Sequence, residues 1–94
     1  MIILQIEHPV QNYEGWKKAF QNDPMDRKGS GVKSYRISRL AGNPNYVLIE
    51  LEFEEMDKAE KMLEGLHKLW KQVEGKIIEG AKGRITEVME FVKY

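Results

Sequence analysis

From Met1 to Val10 apolar and polar side chains alternate. Ile2, Leu4, Ile6 and His8 share one face, and Ile3, Gln5 and Glu7 share the other. A period of two over that length predicts a strand with one side turned to a core. Pro9 has no N–H to give to a ladder and marks the strand end. The period then lengthens: Tyr13, Trp16 and Phe20, with Ala19 beside them, recur at helical spacing. Asn12 is a good N-cap for that helix, and Glu14 stands in its first turn, where the positive end of the helix dipole favours a carboxylate. Gly15 weakens the helix without breaking the stripe, and Asn22, Asp23 and Pro24 stop it.

The stretch from Asp23 to Gly31 is rich in turn residues and predicts a loop. A second strand is expected from Val32 to Leu40, with Tyr35 and Ile37 on one side and Ser34, Arg36 and Ser38 on the other. Gly42, Asn43, Pro44 and Asn45 signal a turn, so the next strand returns antiparallel. That third strand, Tyr46 to Phe53, carries the strongest alternation, with Val47, Ile49, Leu51 and Phe53 opposite Tyr46, Leu48, Glu50 and Glu52. Glu54, Glu55 and Asp57 open a second helix, and Ala59, Met62, Leu63, Leu66, Leu69, Trp70 and Val73 form its apolar stripe. Gly75 is expected to end its main body, with Ile77 and Ile78 adding a short helical turn before Gly80 and Gly83. A last strand is expected roughly from Arg84 to Val92. The order β-α-β-β-α-β is the ferredoxin-like α+β arrangement, a four-stranded antiparallel sheet with two helices. Right-handed crossovers place both helices on one sheet face. The chain, residues 1–94, is read as a single domain.

Composition narrows the function classes. Lysine plus arginine equals aspartate plus glutamate at 15 each, so the net charge is zero and the basic excess of a nucleic-acid binder is missing. There is no cysteine, which excludes disulfides, thiolate nucleophiles and cysteine-rich zinc sites. No apolar run is long enough to span a bilayer, and the N-terminal stretch lacks the pattern of a signal peptide, so no membrane partner and a cytoplasmic address are expected. HExxH, G-x-S-x-G and a phosphate-cradling glycine loop are absent, and His8 and His67 stand far apart. No metal or cofactor is therefore expected.

Candidate chemistry lies in two places. The helix-free sheet face collects Ile3, Gln5, Glu7, Ser34, Arg36, Ser38, Leu48, Glu50, Glu52, Thr86, Val88 and Glu90, a mixed surface that suits pairing with a second copy around a polar-lined space. On it Arg36 either binds an anionic ligand or pairs across strands with Glu50 or Glu52, and these three are the candidate ligand-binding residues. His8 and His67 are the candidate catalytic residues. For His8 the alternatives are a general base and a histidine tying the strand end to the first helix. For His67 they are a catalyst and a solvent-edge helix residue. Trp16, Tyr13 and Phe20 read as core rather than as pocket lining. Single-stranded RNA binding by the open sheet needs exposed aromatics on its middle strands, and only Tyr46 qualifies.

Several of these residues also form a pattern. His8, Val10, Asn12, Tyr13, Trp16, Lys17 and Phe20 resemble the opening "H-x-V-x-D-Y-x-x-W-K-x-x-F" of small dimeric α+β barrel proteins. Arg27, Gly31, Ser34, Tyr35 and Arg36 resemble their next segment, and Asn43, Pro44, Asn45, Glu52, Phe53 and Ala59 a third. The chain is thus similar to the antibiotic-biosynthesis-monooxygenase and polyketide-cyclase-like group. The resemblance implies a homodimer joined through its sheets, a small organic ligand bound between the two sheets and cofactor-free monooxygenase or cyclase chemistry. The alternative is a non-catalytic structural or regulatory dimerisation module. Asn12 replaces the group's aspartate and Glu55 its serine. Where its oxygenases often carry two histidines on the second helix, this chain has His67 and Met62.

Overall fold

The computed structural model describes residues 1–73 and 80–94. Its elements are β1 (Ile2–Pro9), α1 (Tyr13–Gln21), β2 (Ser34–Leu40), β3 (Asn43–Phe53), α2 (Met56–Val73) and β4 (Lys82–Glu87), the order the hydropathy pattern predicts. The strands form one sheet in the order β2-β3-β1-β4, with every neighbouring pair antiparallel. Asn12 caps α1 from extended backbone, its side-chain oxygen accepting the Gly15 N–H at 2.8 Å.

The register decides what each face carries. Ile6 lies opposite Ile49 and Gly83, and Ile49 opposite Ile37, so these positions share one face. That face is covered by both helices, and Ile2, Leu4, Val47, Ile49, Leu51 and Phe53 are buried there with Trp16 of α1 and Ala59 and Met62 of α2. Gly83 admits the close approach of α2: a β-carbon at that position would come within 2.6 Å of Leu63 Cδ1 and 3.3 Å of the Trp70 ring.

Boundaries shift where hydrogen bonding overrides hydropathy. The hairpin between β2 and β3 turns on Ala41 and Gly42 alone, with Gly42 at φ 85°, so Asn43 to Asn45 extend β3. β2 begins at Ser34 because the Val32 N–H is taken by the Arg27 carbonyl. β4 stops at Glu87, and Val88 makes a last bond to the Met1 carbonyl. Beyond that bond Met89, Phe91, Val92 and Tyr94 are exposed instead of continuing the strand. The expected helix end at Gly75 and the turn at Ile77 and Ile78 lie outside the described residues. No helix among the described residues is long and apolar enough to cross a membrane.

Candidate functional site

The helices do not fill the space above the sheet. A cavity of about 280 Å³ remains, with Ile6, His8, Ile49 and Leu51 as its floor. α1 contributes Trp16, Ala19 and Phe20, and α2 contributes Met62, Leu66, Leu69 and Trp70. The loop after α1 adds Asn22, Pro24, Met25 and Arg27. Among the lining residues only His8, Asn22 and Arg27 carry polar side chains apart from the tryptophan N–H groups.

Alternation along β1 carries His8 onto the apolar face, where it is 2% exposed. Its Nδ1 lies 3.1 Å from the Pro9 carbonyl oxygen. A carbonyl only accepts, so Nδ1 holds the proton and Nε2 the lone pair. The ring stands edge-on to Trp16, with centroids 5.8 Å apart. Burial lowers its pKa from the ordinary 6.5, and the Pro9 hydrogen bond opposes part of that shift. His8 is therefore a neutral imidazole at neutral pH.

This depressed pKa has a consequence for stability. As pH falls below about 6.5 the unfolded chain takes up the proton before the folded chain does. The contribution of neutral His8 is complete above that value and is lost as pH falls toward the folded-state pKa. Urea midpoints measured from about pH 8 to pH 5 should fall more steeply for the wild type than for His8→Gln. Parallel profiles would show that burial of His8 costs the charged form nothing.

The second polar group is Arg27, placed by the way the loop folds back. Asp23 and Asp26 take left-handed backbone conformations, φ 51° and 49°. Aspartate tolerates that region when its side chain bonds the local backbone. Asp23 Oδ1 accepts the Arg27 N–H at 2.9 Å, and Asp26 Oδ1 accepts the Gly29 N–H at 3.3 Å. Met25 seats the loop on α2 at Gly65, where a β-carbon would collide with the Met25 methyl. The Arg27 guanidinium then lies 3.8 Å over the Phe20 ring and 5.2 Å from that of Tyr35, and its Nη1 donates to the Phe20 carbonyl at 2.9 Å.

The sequence-predicted candidates divide between the two sides of the sheet. His8 lines the cavity. His67 is exposed on α2, with its ring 5.4 Å from Trp70, which is a cavity residue. Arg36, Glu50 and Glu52 stand on the helix-free face. Arg36 donates through Nε and Nη2 to one Glu50 oxygen at 2.9 and 2.7 Å, and the Ser34 hydroxyl donates to Glu52 at 3.2 Å. Arg84 Nε donates to Gln5 at 3.0 Å, so Arg36, Glu50, Gln5 and Arg84 form one row across all four strands. Beside that row desolvation, together with the charge and hydrogen bond of Glu7, raises the Tyr46 pKa above its ordinary value, against the opposing charge of Arg84. Sequence reasoning missed Arg27 as a cavity residue and took Trp16 and Phe20 for core alone. The turn-rich loop around Arg27 was the available signal. Among the described residues no cluster of histidine and carboxylate side chains is arranged to hold a metal ion.

No family profile and no curated protein matches the sequence. Solved structures do match the fold. A variant of SnoaB from Streptomyces nogalater, a cofactor-independent oxygenase, is similar at TM-score 0.76 and 8% identity, over 99% of this chain and 97% of that one. A dimeric ferredoxin-like protein from an uncultured marine organism gives 0.69 and 13%, over 99% and 92%. A protein proposed to be an antibiotic biosynthesis monooxygenase, from Deinococcus radiodurans, gives 0.68 and 15%, over 100% and 98%. At such identities the likeness carries the ferredoxin-like fold.

Proposed function

We propose that this chain binds a small, largely apolar organic molecule between its helices and its sheet, and that His8 serves there as the proton acceptor. The observation that carries the reading is a buried, neutral imidazole on the floor of a largely apolar cavity. Ligand pockets typically hold about 300–1,000 Å³, so the cavity suits a compact ring system. Nε2 is the ring nitrogen able to take a proton from an acidic C–H or O–H of the ligand, and Pro9 holds the complementary proton in place. A cofactor-independent oxygenase is among the proteins of similar fold, which suits a site that works through a side-chain base.

The working unit in this reading is a homodimer joined through the helix-free face. Ile3, Leu48 and Val88 are half-buried there among polar neighbours, and two of the similar proteins are dimeric. The dimerisation-module alternative draws on the same face, whose Arg36–Glu50 and Arg84–Gln5 bonds are satisfied without any ligand.

Fluorescence titration with the neutral dye N-phenyl-1-naphthylamine tests the cavity. Ala19→Phe fills it from α1 and should weaken dye binding about tenfold or more, since the added ring occupies the ligand's apolar space. Equal affinity for both proteins, with the variant folded, would remove the cavity as a binding site.

A further inference from the structure

Arg27 is an unusual residue to find on this wall. Its side chain is only 17% exposed, so the charge needs compensation that solvent does not supply. Asp23 stands 3.3 Å from Nη1, yet its Oδ1 accepts the Arg27 backbone N–H, and the contact with the guanidinium is an ion pair without a hydrogen bond. Nη1 is held by the Phe20 carbonyl, which ties one edge of the fork to the end of α1. Among the described residues, Nε and Nη2 have no hydrogen-bond acceptor. The Phe20 ring at 3.8 Å and the Tyr35 ring at 5.2 Å from Cζ pack against the group without neutralising it.

Resting on the cavity reading above, we infer that Arg27 selects ligands bearing one anionic oxygen group, so that the natural ligand is a ring-bearing acid or ionised enol. The free edge of a guanidinium fork accepts two oxygens of a carboxylate or sulfonate side by side. The apolar body of such a ligand follows the aromatic walls. Trp16 and Phe20, with centroids 5.3 Å apart, stand between Arg27 and His8. Asp23 is the intramolecular competitor for the same charge.

The test uses two dyes with the same ring system: 8-anilinonaphthalene-1-sulfonate, which carries an anion, and neutral N-phenyl-1-naphthylamine. Arg27→Gln should weaken the sulfonate dye about tenfold or more, the usual scale for a lost charged hydrogen bond, and leave the neutral dye within about twofold. Asp23→Asn removes the competing charge while keeping the oxygen that accepts the Arg27 N–H, and asparagine accepts the left-handed backbone. It should tighten the sulfonate dye about threefold and leave the neutral dye alone. A purely structural Arg27 predicts the opposite pattern, with both dyes shifting together or neither responding, and either result overturns the inference. If Arg27→Gln does not fold, Asp23→Asn decides alone. Sulfonate binding that Ala19→Phe leaves intact would instead overturn the cavity reading itself.

Discussion

Trp16→Ala should cost the fold about 3–5 kcal/mol, the range for truncating a buried aromatic. Trp16 is buried and sits between Tyr13, Phe20 and His8, with ring centroids at 5.8, 5.3 and 5.8 Å. The cost of such a truncation depends on how far the neighbours collapse into the space. Here the vacated volume joins a cavity already held open between two helices and a sheet, so collapse is poor and the loss belongs toward the upper end. The same substitution lets water reach His8. Its pKa should move up toward 6.5, because desolvation is the main cause of its depression. Urea unfolding measures the first effect and an NMR titration of the His8 ring the second. A loss below about 1 kcal/mol would mean that the site repacks. An unchanged His8 pKa would mean that the strand and α2 shield the ring without Trp16.

The fold was legible because its two central strands, β1 and β3, each have one buried face. Leu4, Ile6, Ile49 and Leu51 repeat with period two, and a one-residue slip would turn them all to the other side. Arg36 opposite Glu50 was equally legible, since register follows once the hairpin is placed. The end of β4 was not. Val88, Phe91 and Val92 read as strand, but the last bond to β1's side is the one from the Val88 N–H to the Met1 carbonyl, and Phe91 and Val92 beyond it are exposed.

The site was half legible. His8 stood out as a polar residue in an apolar alternation, and the structure places it on the cavity floor. The cavity itself left no periodic trace. It depends on where the loop after α1 returns, and that return is set by two aspartates in left-handed backbone and by a methionine seated at Gly65. None of these has a spacing rule. The aromatic stripe of α1 was assigned to the core because helical spacing says which face is buried, not whether the buried space is full. Arg27 belongs to the family-like pattern but has no readable place on a cavity, being a cation in a loop until Phe20 and Tyr35 are brought beside it.

The proposed homodimer predicts that Leu48→Lys abolishes self-association through the sheet while sparing the single chain. Leu48 is half-buried on the helix-free face, opposite Glu7 on β1 and Ser38 on β2. In one chain the new ammonium lies across from the Glu7 carboxylate, a cross-strand pair worth about 0.2–1 kcal/mol in its favour. The melting temperature of the isolated chain should therefore hold or rise slightly. A two-fold interface changes the balance, because one substitution enters it twice. Each ammonium must leave water together with the Glu7 carboxylate, in a face where Arg36, Glu50, Gln5 and Arg84 already bond one another and add no further partner. An ion pair buried where apolar side chains packed before costs about 1–4 kcal/mol, which corresponds to a dimer weakened roughly 10- to 10³-fold. Sedimentation equilibrium of wild type and variant at equal concentration reads the change directly. A variant that stays folded and dimerises as tightly as the wild type would place the interface on some other surface. It would also leave the Arg36–Glu50 row as an ordinary solvated ladder, worth little to stability.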